Sequence, residues 1–520
     1  MYSVLYNATP MKRCGSVEGY RAGCAAALLA LAGLCQPVAA QPLAPPIFFN
    51  DPLNTAPAAL NRRVQLWLPS ELLDVSVPPG DVDTEGLVPV EVDCANPLAA
   101  VLPGATLNLP TAVVRTVCSH PQARASWSRI AQQAAQWGQA QSAFLPQVQA
   151  GIARQRSSVR YSGLDVPSAR TQATMQNVLL TWRLWDFGVR SARADAAQAQ
   201  LRAALSEQSA VVQQAVAEVL QLYAQAQAAQ VRLHTQRQLL PLAQRNVLAA
   251  QRRQSAGVGS TSDSLQAQAA QARIHFEHSR AEGEVQVVLA KLARHVGLPA
   301  GTQVMLSSEP LPLGGGLEAG PQWLLRPLEE WLDLVRQNHP ELEAARNQWQ
   351  AAQASWEAQR AEHLPTVDVN VGHYSNGRPT QSLSAVRSHE TVVGLSVSIP
   401  LFDGFATTYQ VRAAQAWAEQ KAVELEAVEQ QVTQELVQQY VQAQAALKNA
   451  RAATDLLQLA NAATQSAQRQ YEHGAWDIVQ LNQSLMQLQQ AQQEWATAQW
   501  EWRQGRLKLW LYAMRHRAAS

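Results

Sequence analysis

Histidine and acidic side chains that could share one helix face are the first candidates for chemistry in this sequence. His275 and His278 are three residues apart, with Glu277 between them, a spacing that can bring two imidazoles near one metal ion. The segment offers no third ligand, and this pattern on a polar helix is more often solvated surface. The sequence contains no CxxC, HExxH, P-loop or GxSxG motif. We therefore predict no metal, no cofactor and no enzymatic activity.

The amino-terminal segment has the composition of a secretory signal peptide. Basic residues precede an apolar run at 25–34, and small residues at 38–40 precede Gln41. We predict that residues 1–40 are removed during export. Cys35 raises the alternative of a lipoprotein, which the preceding Leu34 disfavours because a lipobox places a small residue there.

Two cysteines remain after the predicted cleavage, Cys94 and Cys118. An even count in an oxidising compartment is compatible with one disulfide, and the alternative is two free thiols. The disulfide would tie a Pro-rich extension at 41–117, which shows no sustained period, to the segment that follows it. We expect this extension to lie on the outside of the protein.

Four segments have the period-two alternation of half-buried strands. The stretch at 391–404 places Val393, Leu395 and Val397 on one face and Ser396 and Ser398 on the other. The predicted strands form two hairpins with polar loops at 157–172 and 375–390, and they cover about 147–156, 174–186, 366–374 and 391–402.

Two halves of the chain repeat the same pattern. Adding 217 to Val178 and Asp186 gives Leu395 and Asp403, and upstream an offset of 219 carries His120 to His339. The sequence therefore predicts an internal two-fold repeat of a helix, two strands and two further helices. The predicted organisation is a first repeat at 118–299, a linker at 300–330 and a second repeat at 331–515.

Each predicted hairpin leads into a very long helix rich in Ala and Gln. The helices at 189–256 and 405–473 would each span roughly 100 Å at 1.5 Å per residue. Helices at 263–296 and 477–515 return in the opposite direction. Pro241 has no proline counterpart 217 residues later and is expected to distort the first long helix.

Membrane crossing, if it occurs, is expected to use strands, because no apolar run after residue 40 has the length of a membrane helix. Four strands cannot close a barrel, whereas three copies of the chain would supply twelve. A wet lumen would be lined by Gln149, Asn177, Thr181, Arg183, Asp368, Asn370, Ser396 and Ser398. The net charge of +1, from 41 basic and 40 acidic residues, argues against nucleic acid as a partner.

Together these motifs resemble the TolC-type outer membrane factors. The resemblance covers about residues 98–515 and rests on paired copies of His-Pro, Leu-Pro and the strand exit at 400–404. Cys118 beside His120-Pro121, paired with Cys94, is most similar to the branch that contains secretion channels of the CyaE kind. The resemblance implies an α+β membrane protein, a homotrimer with a twelve-stranded β-barrel in outer membrane lipid and a periplasmic α-helical barrel.

The same resemblance implies a gate where the helical hairpins end. The matching positions are Asp263 in the first repeat and Gln480 and Gln483 in the second, where Gln480 departs from the usual Asp. Asp263 and Tyr471 could form a closing hydrogen bond. Trp476 and Asp477 lie nearby in the sequence. The alternative is that Asp263 only caps its helix.

Aromatic residues gather at the predicted strand-to-helix junctions. They would form a belt at the periplasmic membrane interface, or else pack against neighbouring helices. The candidates are Trp182, Trp185, Phe187, Phe402 and Phe405.

The predicted function is a passive exit duct of a tripartite export system. Its partners would be a periplasmic adaptor and an inner-membrane ABC transporter or proton-driven pump. The cargo would be polypeptide, by type I secretion, or small molecules. The alternative is a periplasmic coiled-coil scaffold or adaptor without a membrane barrel.

Overall fold

The structure is a computed structural model, which describes residues 63–69, 87–94, 106–159, 169–257, 259–299, 301–302, 304–306, 326–376, 388–473 and 475–513. The predicted signal peptide, Cys35 and most of the Pro-rich extension lie outside these residues.

Eight helices occupy most of the described chain. The order of elements is the same in the two halves: two shorter helices, two strands, and two long helices that run back along each other. The helices are α1 (Leu109–Ser119), α2 (Pro121–Ser142), α3 (Val189–Ser255), α4 (Thr261–His295), α5 (Leu328–Asn338), α6 (Pro340–Ala361), α7 (Ala406–Glu472) and α8 (Ile478–Ala513).

The two longest helices, α3 and α7, are each 67 residues long, or roughly 100 Å. Ala and Gln favour them because Ala loses no side-chain entropy in a helix and Gln loses little. Helix α3 runs through Pro241 without ending. None of the helices in the described part of the chain is both long and apolar enough to cross a membrane.

Helix α1 corrects our prediction for the extension. We expected residues 41–117 to lie outside the protein without a regular period, but Leu109, Val113 and Val117 are buried in its largest core cluster. Asn108 caps the helix by accepting a hydrogen bond from the backbone N–H of Thr111 at 3.0 Å. The apolar spacing of α1 was visible in the sequence but spans only 11 residues.

Three small sheets accompany the helices within the described residues. Strand β1 (Arg63–Pro69) pairs with β2 (Leu87–Asp93), and the two-residue strands β3 (Thr106–Leu107) and β6 (Met305–Leu306) pair in parallel. The third sheet is antiparallel with the order β4-β5-β7-β8. Its strands are β4 (Gln147–Val159), β5 (Ala169–Trp185), β7 (Thr366–Ser375) and β8 (His389–Ser398).

The strands differ from the prediction at their ends. The hairpin of β4 and β5 is longer than expected, reaching Val159 and starting again at Ala169. Strand β8 ends at Ser398 instead of 402, because Pro400 has no backbone N–H for a ladder. The outer edges of β4 and β8 have no strand partner in the described part of the chain.

Two main apolar clusters hold the helices together. The first joins α1, α3 and α4 with the end of α8, around Val117, Val219, Leu292 and Trp510. Tyr223 lies in this cluster at 2% exposure and donates a hydrogen bond to the carbonyl of Leu107 at 3.3 Å. The second cluster joins α5, α6, α7 and α8. The packed helices thus connect the four-stranded sheet to the turns between α3 and α4 and between α7 and α8.

Candidate functional site

The four-stranded sheet separates apolar and polar side chains onto opposite faces. The register pairs Val369 with Leu395 and Val371 with Val393, and the apolar face so formed is open: Val393 is 73% exposed and Leu395 66% exposed. An exposed apolar face of this kind marks contact with lipid or with another protein. The other members of this face include Val148, Ile152, Val178, Trp182, Val367 and Val397.

The opposite face of the sheet carries polar pairs. Arg183 and Asp368 are register partners and form a salt bridge at 2.8 Å, and Asn370 donates to the hydroxyl of Ser396 at 3.0 Å. The strand register places all eight predicted lumen residues, from Gln149 to Ser398, on this side. The sheet can therefore present one face to lipid and the other to water.

Each strand hairpin passes into its long helix through a left-handed turn. Phe187 and Gly188 have φ of 54° and 97°, and Gly404 and Phe405 have φ of 70° and 69°. A phenylalanine in this region is strained, so the surrounding structure must hold it there.

An aspartate stabilises each of these turns by capping the helix. The carboxylate of Asp186 accepts hydrogen bonds from the backbone and the guanidinium of Arg190 at 3.1 and 2.7 Å, and both side chains are buried. Asp403 accepts from the backbone N–H of Thr407 at 2.8 Å and from its hydroxyl. The Thr407 hydrogen bonds lower the pKa of Asp403.

The five predicted interface aromatics lie at these turns and are 41–75% exposed. Trp185 meets Phe187 edge to face at 6.0 Å, and Phe402 meets Phe405 in the same way at 5.3 Å. Trp182 donates to the carbonyl of Phe144 at 2.9 Å. The exposure of these five side chains favours an aromatic belt at the membrane interface over packing against the helices of the same chain.

The helical tip, where α3 turns into α4 and α7 into α8, is the candidate gate. Both hairpins contribute to one small apolar cluster there, which includes Ala267 from the first and Tyr471, Ile478 and Leu481 from the second. Gly257, with φ of 74°, allows the first turn. The cluster fixes the two hairpin ends against each other.

Both helices that leave the tip begin with a reciprocal cap. Asp263 accepts from the backbone N–H of Ser260 at 3.1 Å, and its own N–H donates to the Ser260 hydroxyl at 3.1 Å. Adding 217 to Ser260 and Asp263 gives Asp477 and Gln480 in the second repeat. There the backbone N–H of Gln480 donates to the Asp477 carboxylate at 2.8 Å, and the Gln480 side chain accepts from the backbone N–H of Asp477 at 3.3 Å. Gln480 thus performs the capping role of Asp263 without its charge.

The expected hydrogen bond between Asp263 and Tyr471 is not formed within the described residues of one chain. Instead, Arg253 of α3 donates to the carbonyl of Tyr471 at 3.2 Å and lies over its ring at 5.1 Å from the centroid. Burial raises the pKa of Tyr471 above its usual value of 10, and the charge of Arg253 opposes this rise. The contact between the two hairpins is therefore a cation–π interaction between the Arg253 guanidinium and the protonated, neutral Tyr471 ring.

Arg253 is the tip residue that sequence reasoning missed. Its counterpart 217 residues later is Gln470, so the repeat did not single it out. Trp476 is half-buried beside the tip cluster, whereas Asp477, Gln480 and Gln483 are exposed. Tyr471 and Trp476 thus both pack in the tip cluster.

The remaining predicted sites are the cysteine pair and the two histidines of α4. Cys94 and Cys118 form a disulfide with a Cα–Cα distance of 5.2 Å, and both side chains pack against the first core cluster. His275 is exposed on α4, and neither it nor His278 belongs to the cluster of possible metal ligands found among the described residues.

Comparisons with known proteins agree with this architecture. The model of the family described as "Outer membrane efflux protein" matches residues 113–298 and 331–512. Protein CyaE of Bordetella pertussis is 37% identical over 313 residues, which are 60% of this chain and 63% of CyaE. The "Proteases secretion protein PrtF" of Dickeya chrysanthemi is 30% identical over 116 residues, which are 22% of this chain and 25% of PrtF.

Solved structures share the fold at lower identity. A solved structure of CusC, a protein described as forming a transmembrane channel, matches with a TM-score of 0.68 at 18% identity, over 78% of this chain and 92% of that one. The match to CyaE spans less than two thirds of that relative.

Proposed function

We propose a function for this chain, which belongs to the outer membrane efflux protein family of TolC-type channels. The chain would be the exit duct of a tripartite export system and would conduct polypeptide. The chain is an outer membrane protein with a long periplasmic helical part. The family consists of channels, which are not enzymes. The duct would be passive, with energy supplied by its inner-membrane partner.

The two-faced sheet is the observation that carries this proposal. Its strands are 10 to 17 residues long, enough to cross an outer membrane when tilted. Val393 and Leu395 are exposed on one face, while Arg183 and Asp368 neutralise each other on the opposite one. A chain that folded as a soluble scaffold would have no reason to expose this apolar face.

A trimer would complete the sheet. The edges of β4 and β8 each need a neighbour, because unpaired backbone groups are not tolerated in lipid. Three copies would join these edges into a closed barrel of twelve strands. Helices α2, α3, α6 and α7 below the strands would likewise close into a periplasmic tunnel.

Similarity to PrtF and CyaE favours polypeptide as the cargo. PrtF is named for the secretion of proteases, and the Cys94–Cys118 disulfide fits the secretion branch to which the sequence is similar. The partners would then be an inner-membrane ABC transporter and a periplasmic adaptor that contacts the helical end. Efflux of small molecules by a proton-driven pump is the second candidate, supported by the family description.

Arginine scanning across the sheet tests the barrel. Leu395→Arg places a charge on the apolar face and is expected to cost about 2–4 kcal/mol if that face contacts lipid. Ser396→Arg is the matched control, because it places the same charge on the neighbouring residue of the polar face. The measurement is the yield of heat-resistant trimers in outer membrane fractions. A wild-type protein recovered as a soluble species, or equal yields of the two variants, would refute the barrel.

The tip is proposed to close the periplasmic end. Arg253 and Tyr471 would hold the two hairpins of one chain together in the closed state, and separation of the hairpins would open the tunnel. Asp263 would act mainly by capping α4.

A further inference from the structure

Three side chains far apart in the sequence meet beside the disulfide. His120 lies at the junction of α1 and α2, Glu218 on α3 and His295 in the last turn of α4. One potential ligand atom of each lies within 4.8 Å of the other two. The three residues share no local motif, so the sequence alone does not indicate this group.

The backbone around His120 is arranged to bring the two histidines together. The N–H of His120 ends α1 by donating to the carbonyl of Thr116 at 2.9 Å, and Pro121 begins α2 directly afterwards. Gly297 has φ of 76°, and a Cβ there would lie 2.5 Å from the Cβ of Ser119. Only glycine lets the end of α4 pass so close, and the two imidazole rings meet at 4.7 Å.

The hydrogen bonds leave one imidazole lone pair on each histidine without a proton donor, while Glu218 accepts from Nε2 of Gln214 at 3.1 Å through one of its two carboxylate oxygens. Nε2 of His295 is 3.1 Å from the carbonyl of Ala215, which can only accept, so Nε2 carries the proton and Nδ1 presents its lone pair. That Nδ1 lies 3.7 Å from a carboxylate oxygen of Glu218, too far for a hydrogen bond. Nδ1 of His120 is buried and has no hydrogen-bond partner. A cation between the two imidazoles and the carboxylate would satisfy these lone pairs.

The second repeat has a different side chain at one of the three equivalent positions. The positions equivalent to His120, Glu218 and His295 are His339, Glu435 and Tyr512, at offsets of 219, 217 and 217. The ring centroids of His339 and Tyr512 are also 4.7 Å apart. The angle between the ring planes is 46° in the first copy and 44° in the second. The hydroxyl of Tyr512 donates to Glu435 at 3.0 Å. The first copy has histidine where the second has this donor.

We propose that His120, Glu218 and His295 bind a divalent transition-metal ion of the zinc class. Two imidazole nitrogens and one carboxylate are a common ligand set for Zn²⁺, with a fourth position left for water. Donors of a tetrahedral Zn²⁺ at about 2.1 Å are roughly 3.4 Å apart. The His295 side chain is 9% exposed and that of Glu218 46% exposed, so the carboxylate can rotate to close the site.

The hydrogen bond from His295 Nε2 to Ala215 would orient the ligand, as the outer ligands of metal sites generally do. The ion would join the α1–α2 junction to α3 and α4. It would reinforce the anchor that the disulfide at Cys118 provides for the extension.

The test uses the full-length trimer in detergent, without a polyhistidine tag and freed of metal by a chelator. Isothermal titration with Zn²⁺ is expected to give one ion per chain, and Co²⁺ is expected to give the intense visible bands of a tetrahedral site. His295→Tyr reproduces the side chain of the second repeat and should fold. It is expected to weaken Zn²⁺ binding by more than about 100-fold.

The paired substitution His275→Gln/His278→Gln is the matched control, since it removes two histidines from the same helix outside the cluster. It should bind Zn²⁺ as the wild type does. Absence of Zn²⁺ binding by the wild type would overturn the proposal. So would equal binding by wild type and His295→Tyr, or loss of binding in the paired control.

Discussion

Removal of the Arg253 side chain is the sharpest test of the tip. In Arg253→Ala the two hairpins of one chain lose a hydrogen bond to the Tyr471 carbonyl and a cation over the Tyr471 ring. The apolar cluster around Ile478 and Leu481 remains. We therefore expect a folded channel whose closed state is weakened.

The size of the effect follows from these two contacts. A hydrogen bond from a charged donor contributes about 1.5–3 kcal/mol, and a partly exposed cation–π contact about 0.5–1 kcal/mol. Arg253 is half-buried, so solvent screening reduces the sum to about 2 kcal/mol per chain. At 1.4 kcal/mol for each factor of ten, the open-to-closed ratio rises roughly 30-fold per chain.

Planar-bilayer recording measures this change as open probability and mean conductance. Arg252→Ala is the matched control, because it removes the same charge from an exposed neighbour on the same helix. Tyr471→Phe keeps the ring and the backbone carbonyl and should change little. Asp263→Ala should cost about 1 kcal/mol of helix stability through the lost cap, with a smaller effect on conductance.

Three results would refute the reasoning. Conductance of Arg253→Ala equal to that of the wild type would show that this contact does not hold the tip closed. An equal increase in Arg252→Ala would assign the effect to charge alone. A larger effect from Asp263→Ala than from Arg253→Ala would assign the closing role to Asp263 instead of Arg253.

Three further predictions concern stability. Asp186→Ala should destabilise the chain by about 3 kcal/mol in thermal unfolding, because it removes the carboxylate that neutralises Arg190 and leaves the guanidinium only backbone carbonyls as acceptors, whereas the exposed Asp403→Ala should cost far less. Burial raises the pKa of Tyr223 to about 12, so the unfolded chain loses this proton near pH 10 and the folded chain only near 12. The stability advantage of the wild type over Tyr223→Phe should therefore shrink as pH rises from 10 to 12; a constant difference would contradict this. Cys94→Ser opens a link across 24 residues, worth about 3.5 kcal/mol, and should speed proteolysis of residues 63–93 but not of the helices.

Local periodicity determined much of the fold before any tertiary structure was considered. The period of two in the stretch at 391–404 and the uninterrupted Ala/Gln pattern after it depend only on near neighbours, so they predicted β8 and α7 to within a few residues. A capping role for Asp263 was also predicted from its neighbours, although the structure places it at the third helical position, where it completes a capping box with Ser260.

Contacts between distant segments were decided only by the tertiary structure. Arg253 and Tyr471 are 218 residues apart, and nothing in either neighbourhood indicates that a cation will meet that ring. His120, Glu218 and His295 likewise converge because Gly297 lets α4 pass the α1–α2 junction. The sequence specifies elements through short-range periodicity and capping, whereas packing selects which of their polar side chains meet.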